Sequence, residues 1–129
     1  MEENKKTIFI AEDDYDFLEQ MKHYLNSLGY KVISARDEKT AGEIIAGEEF
    51  NLAILDLMMD NQDSGFVLGY QVKKKDPGIP VILVTAVTRE TGYRFDLTDK
   101  SSQSWIKADA VLNKNIRFEQ LKKEIDRLL

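Results

Sequence analysis

The sequence contains no cysteine, a single histidine and only two prolines in 129 residues. Without cysteine there is no disulfide scaffold, no thiolate zinc site and no cysteine nucleophile. One histidine excludes a multi-histidine metal centre within one chain. No apolar run approaches the roughly 20 residues of a membrane span. The first residues, Met1-Glu2-Glu3-Asn4-Lys5-Lys6, lack the apolar stretch of a signal peptide. A cytoplasmic protein without membrane association is therefore expected. Basic residues are also in deficit: 18 Lys and Arg stand against 23 Asp and Glu, a net charge of −5. Phosphate-backbone binding needs the opposite balance, so direct nucleic-acid binding is not expected.

What is present reads as one folded domain, with hydrophobic residues at 43% of the chain. Residues 1–6 are expected to form a loose tail and residues 7–129 the domain. Five short apolar runs punctuate it: Ile8-Phe9-Ile10-Ala11, Val32-Ile33-Ser34-Ala35, Leu52-Ala53-Ile54-Leu55, Val81-Ile82-Leu83-Val84 and Ala110-Val111-Leu112. Runs of this length suit strands buried on both faces. Helical stripes lie between them. Phe17, Leu18, Met21, Tyr24, Leu25 and Leu28 form the first, ended by Gly29 as a C-cap. Ala41, Ile44 and Ile45 form the second, between an N-cap at Asp37 and Gly47. Phe66, Val67, Tyr70 and Val72 suggest a third, stopped by Asp76-Pro77-Gly78. Phe118, Leu121, Ile125 and Leu128 give a C-terminal amphipathic helix. The stretch from Arg89 to Ala108, which holds the only tryptophan, Trp105, shows no sustained period. Strand–helix alternation of this kind predicts an α/β fold: a parallel sheet with right-handed crossovers and helices on both faces.

In such folds, sites form where the strands end at their carboxyl edge. The first strand is followed by Glu12, Asp13 and Asp14, the third by Asp56, the fourth by Thr85, and the fifth by Lys114. Converging carboxylates repel one another and are costly to desolvate, and a hard divalent cation resolves this. Magnesium prefers oxygen ligands and needs only one or two carboxylates. With the cation in place, Asp56 can act as a nucleophile towards a phosphoryl group, while Thr85 and Lys114 can engage its oxygens. Each residue alone has a plainer explanation, because acids after a strand often serve a helix N-terminus. Their coincidence at four strand ends favours the chemical reading.

These segments resemble the receiver domains of two-component response regulators. The resemblance is carried by residues 8–14, 52–59, 80–86 and 108–114, and it extends from Lys6 to Leu129. It implies a flavodoxin-like five-stranded sheet of order 2-1-3-4-5. It also implies that Asp56 is the phosphate acceptor and that Thr85 is the switch hydroxyl, with Lys114 the pocket lysine. Asp13 would ligate magnesium directly, Glu12 through water, and Met58 through its backbone carbonyl, beside Asp56. The partners implied are a histidine kinase or phosphotransfer protein and a protein output target, with a possible homodimer through the fourth-helix to fifth-helix face. The domain would be a phosphoacceptor rather than an enzyme, beyond slow self-dephosphorylation.

Four features depart from the family's pattern. No proline follows the acceptor: Met59 is followed by Asp60, and Gly65 comes nine positions after Asp56. Asn115 replaces the proline that usually follows the lysine, so the Lys114–Asn115 bond is expected to be trans. Val111 stands where a rotating aromatic is usual. Lys114 comes 29 positions after Thr85, longer than the family's spacing. The extra length falls in Thr88–Trp105, where Asp99 or Ser101 could cap a shifted fourth helix and Trp105 could serve the core or a partner surface. Val111 and Asn115 give weight to an alternative, a degenerate receiver that binds proteins without being phosphorylated. A phosphatase of the haloacid-dehalogenase type would need a second aspartate where Met58 stands. His23 is read as a surface or half-buried residue and Lys73-Lys74-Lys75 as a solvated helix end.

Overall fold

A computed structural model describes residues 6–86, 108–115 and 117–129. Its elements are β1 (Thr7–Ala11), α1 (Tyr15–Ser27), β2 (Lys31–Ala35), α2 (Glu38–Gly47), β3 (Leu52–Asp56), α3 (Ser64–Lys75), β4 (Val81–Thr85), β5 (Ala110–Asn113) and a C-terminal helix, Phe118–Leu128. The strands form one sheet in the order β2-β1-β3-β4-β5, as expected. Every neighbouring pair is parallel. The fourth-helix expectations, with Asp99, Ser101 and Trp105, lie outside the described residues, as does the tail expected over residues 1–6 except for Lys6.

Strand side chains alternate between two cores, because successive residues of a strand face opposite sides of the sheet. Ile8, Ile10, Leu52, Ile54, Ile82 and Val84 pack against Leu18, Met21 and Leu25 of α1 and Leu121 and Ile125 of the C-terminal helix. Phe9, Ala11, Ala53, Leu55, Val81 and Leu83 pack against Ala41 and Ile45 of α2 and Leu68 and Val72 of α3. The strands β3 and β4 are buried along their whole length, which explains why they read as unbroken apolar runs. An isolated helix as short as the C-terminal one is marginal in water. Burying a side chain such as Leu121 or Ile125 contributes roughly 1.5–3 kcal/mol, so packing rather than propensity holds it.

The helix ends follow the local chemistry read from the sequence. Asp37 Oδ1 accepts from Thr40 N at 2.7 Å and caps α2. Gly29, at φ 97°, closes α1. Its N–H donates to Asn26 O at 3.0 Å while Tyr30 N donates to Leu25 O at 3.1 Å, the paired bonds of a left-handed glycine cap.

Two expectations need correction. The third helix does not bury a stripe through Tyr70, which is exposed. Its buried face runs through Ser64, Gly65, Leu68, Gly69 and Val72, with Phe66 and Val67 half-buried. Two glycines on that face carry no apolar side chain, so hydrophobic periodicity underweights it. Gly65 is there because the helix touches the backbone beneath it. A Cβ at this position would lie 2.7 Å from Leu57 Cα and 2.8 Å from Asp56 O. Gly65→Ala is expected to destabilise the domain by about 1–3 kcal/mol, the range for overpacking. A denaturant midpoint equal to that of the wild type would show that this contact relaxes freely.

Nor is the lysine run simply solvated. Lys73 Nζ donates to Ile79 O and to Asp109 Oδ2, each at 2.8 Å, and Asp109 Oδ2 also accepts from Val81 N at 2.8 Å. Lys75 Nζ donates to Ile45 O at 2.7 Å and to Glu48 O, and sits 5.1 Å from the Phe50 ring centroid. Their long stems carry the charges past the helix end to carbonyls of neighbouring segments; Lys74 between them is exposed. His23 is exposed.

Candidate functional site

The strand register brings the expected residues to one edge. Ala11 pairs with both Ala35 and Leu55, and Asp56 with Val84. The chain then leaves β1 through Glu12 and β3 through Asp56, while Thr85 ends β4 and pairs with Asn113. Leu57 N donates to Val84 O at 2.8 Å, and Lys114 N to Thr85 O at 2.9 Å. These bonds hold the ends of β3, β4 and β5 in step just where the polar residues begin.

The three acids after β1 divide their work. Asp14 caps α1, its Oδ1 accepting from Phe17 N at 3.2 Å. Glu12 turns inward and is 1% exposed, with Oε2 accepting from Asp14 N at 3.0 Å. Asp13 stays exposed at the mouth. Oxygens of Glu12, Asp13 and Asp56 all lie within 4.8 Å of one another, the one carboxylate cluster of this kind among the described residues. Asp56 is 4% exposed and Thr85 is buried beside it at the edge.

Lys114 spans the two buried acids. Its Nζ donates to Glu12 Oε2 at 2.9 Å and to Asp56 Oδ2 at 3.3 Å. The same ammonium lies 5.4 Å from the centroid of the Phe17 ring. Burial pushes the Asp56 carboxyl up to about 8, helped by its hydrogen bond to Glu12 and by the Glu12 charge, against the opposing pull of Lys114. Burial works against the Lys114 ammonium, but its bond to Glu12 and the charges of Asp56 and Glu12 prevail and raise its pKa. One lysine does not offset three clustered carboxyls, so Asp56 holds its proton to a higher pH than an ordinary carboxyl. The donor set is all oxygen, as a hard cation such as magnesium requires.

Met58 follows at the pocket rim, its side chain exposed and its N–H 3.4 Å from Asp56 Oδ1. Val111 is half-buried against the core on the α2 and α3 side. The Lys114–Asn115 bond is trans, as expected from the missing proline. Asn115 N donates instead to Asn113 Oδ1 at 2.8 Å, which turns the chain after β5. One element escaped sequence reasoning. Glu38, at the start of α2, accepts through Oε1 from Ser64 Oγ at 2.7 Å and from Asn61 Nδ2 at 3.0 Å. Asn61 and Ser64 belong to the segment that follows Asp56, and no local periodicity signals a contact across 23 and 26 positions.

A doubly wound sheet of this order, with an acidic pocket and a lysine at its carboxyl edge, defines a chemotaxis-regulator-like signalling fold. The response regulator receiver domain model matches residues 8–126, and the chain belongs to that family. Among curated relatives, it is 31% identical over its full length to the probable transcriptional regulator ycf27 of Cyanophora paradoxa, of which it covers 50%. It is 38% identical to the transcriptional regulatory protein CrdR of Helicobacter pylori, over 64% of this chain and 39% of that protein. The chain thus spans half or less of the length of these relatives. Among solved structures, the response regulator TrrA of Thermotoga maritima, in complex with Mg(2+)-BeF, is 28% identical, with a TM-score of 0.78 over 96% of this chain and 99% of that one. The receiver domain of a signal transduction histidine kinase from Syntrophus aciditrophicus is also 28% identical, with a TM-score of 0.77 over 96% of this chain and 89% of that one. Receiver domains are signalling domains of two-component systems and not enzymes in the ordinary sense. No helix among the described residues is long and apolar enough to cross a membrane.

Proposed function

We propose that this domain accepts a phosphoryl group on Asp56 from a histidine kinase or phosphotransfer protein, and that acceptance alters a face recognised by a protein target. The observation that carries the reading is the setting of Asp56: buried at the end of β3, grouped with Glu12 and Asp13, and 3.3 Å from Lys114 Nζ. Glu12, Asp13, Asp56 and the Met58 carbonyl would hold magnesium. When bound, the cation would supply the positive charge that offsets the phosphoryl oxygens. Asp56 contributes the attacking carboxylate oxygen, forming an acyl phosphate as the bond from phosphorus to the donor nitrogen breaks. Thr85 and Lys114 then have a phosphoryl group to engage. Lys114 would exchange its bonds to Glu12 and Asp56 for one to a phosphoryl oxygen. Movement of these two residues at the ends of β4 and β5 biases the surface beyond them. The relatives named as transcriptional regulators support an output through a further domain or partner.

Intact-protein mass spectrometry with a small-molecule phosphodonor and magnesium tests this directly. A single phosphoryl adduct is expected, lost with chelator, in Asp56→Asn and in Asp13→Ala. An adduct that persists in Asp56→Asn would place the chemistry elsewhere. Val111 favours a second reading, since a half-buried valine cannot swing as a large ring does. If neither a small donor nor a histidine phosphotransfer protein produces an adduct, the domain is an interaction module that works unphosphorylated.

A further inference from the structure

The segment after Asp56 must hold one backbone unit, Met58, in place, yet residues 57–63 include no proline to restrict it. On the near side the backbone is fixed twice: Leu57 N donates to Val84 O and Gly65 N to Leu57 O, both at 2.8 Å. On the far side Met59 N is tied to Asn61 O, at 3.2 Å. That bond is useful only if Asn61 is itself held. Asn61 N donates to Ser64 Oγ at 3.1 Å, and its side-chain Nδ2 donates to Glu38 Oε1 at 3.0 Å. Ser64, fully buried, donates its hydroxyl to the same oxygen at 2.7 Å. In return Asp60 Oδ1 accepts from Glu38 N at 3.2 Å. The start of α2 and the segment after Asp56 thus exchange hydrogen bonds in both directions. A carboxylate acceptor makes the central pair stronger than neutral bonds. Glu38 is fixed in turn, as the first residue of a helix whose cap at Asp37 is satisfied.

We propose that Glu38 is a positioning residue for the phosphoacceptor pocket: through Asn61 and Ser64 it sets the Met58 backbone for cation binding. This rests on the reading of the pocket as a magnesium site. It accounts for how a chain without the family's proline orders this segment, with a side chain supplied by another element. A purely structural Glu38 would tie α2 to α3 and affect stability alone. A positioning Glu38 affects magnesium affinity in the folded, unphosphorylated domain.

The test is calorimetric titration of the chain with magnesium, beside thermal unfolding in chelator. Glu38→Ala is expected to weaken magnesium about tenfold, the lower end for residues that orient metal ligands. Glu38→Gln keeps a carbonyl oxygen that can accept both bonds, so its affinity is expected to stay within about twofold of the wild type. Asn61→Ala removes one exposed arm and is expected to cost about threefold, the worth of a single hydrogen bond. It decides the question if Glu38→Ala does not fold. A lowered midpoint with unchanged magnesium affinity in both alanine variants overturns the proposal. Saturable binding in the wild type that Asp56→Asn weakens establishes the pocket independently. Without such binding, the magnesium reading and this inference fall together.

Discussion

Asp56→Asn is expected to make the metal-free domain more stable while abolishing its capacity to accept phosphate. The carboxyl of Asp56 is pushed up to about 8 by burial and by Glu12, whereas in the unfolded chain it titrates near 4. Folding therefore takes up a proton at this site between those values. The stability contributed by this site is greatest below about pH 4, falls as the pH rises through the interval, and levels off above about 8. Each pKa unit is worth roughly 1.4 kcal/mol. Solvent reorganisation around the buried carboxylate reduces the total, and about 2 kcal/mol of stabilisation at pH 8 is expected on replacing the carboxylate with the amide. Lys114 keeps its 2.9 Å partner Glu12 in the variant, so no cation is stranded. Urea unfolding in chelator at pH 5 and pH 8 measures this. The wild type should lose stability between the two, and Asp56→Asn should lose less. Magnesium competes with the proton and should narrow the gap by stabilising the wild type. If Asp56→Asn is the less stable protein at pH 8 without metal, the carboxylate is satisfied by its neighbours and the pocket has no unmet need for a cation.

The same pocket shows what was legible in the sequence and why. Strands buried on both faces leave continuous apolar runs, so Ile8–Ala11, Leu52–Leu55 and Val81–Val84 marked the centre of the sheet without help from distant residues. Because parallel strands end on one edge, knowing the strands was enough to bring Glu12, Asp13, Asp56, Thr85 and Lys114 together. The Asp37 cap was readable because it acts within three residues. Contacts that join distant segments left no periodic trace. Gly65 stood out in the sequence only by its distance from Asp56, although its missing side chain is what lets α3 rest on Leu57 and Asp56. Lys73 and Lys75 looked like a charged helix end, because nothing local shows that carbonyls of Ile79 and Ile45 lie within reach. Glu38 offered no local signal at all: its bonds to Asn61 and Ser64 exist only once α2 and the segment after β3 are side by side.

Lys114→Ala is expected to lose about 3 kcal/mol of stability in chelator and to recover most of it in saturating magnesium. The ammonium bonds two acids that are 1% and 4% exposed, and its removal leaves both without a counter-charge. Breaking one partner out of a buried ion pair typically costs about 3–5 kcal/mol. At pH 8, where the Asp56 carboxyl is about half ionised, uptake of a proton by Asp56 offsets part of that, which places the expected loss at the low end. A divalent cation among Glu12, Asp13 and Asp56 would replace the missing charge. The loss should therefore depend on metal, unlike that of an ordinary core truncation. The ammonium also covers the Phe17 ring, which lies 6.2 Å from Phe118; that packing loss is not restored by magnesium and sets the residue of the effect. Phosphoryl acceptance should persist in Lys114→Ala, because the nucleophile and the carboxylate cluster remain. The change on phosphorylation should not, because under the proposed function Lys114 is the group that would draw the end of β5 towards the phosphoryl oxygens. Denaturant unfolding with and without magnesium, and amide spectra before and after phosphorylation, read the two effects separately. An equal stability loss in both conditions would assign Lys114 to packing, and spectra that change as in the wild type would remove it from the switch.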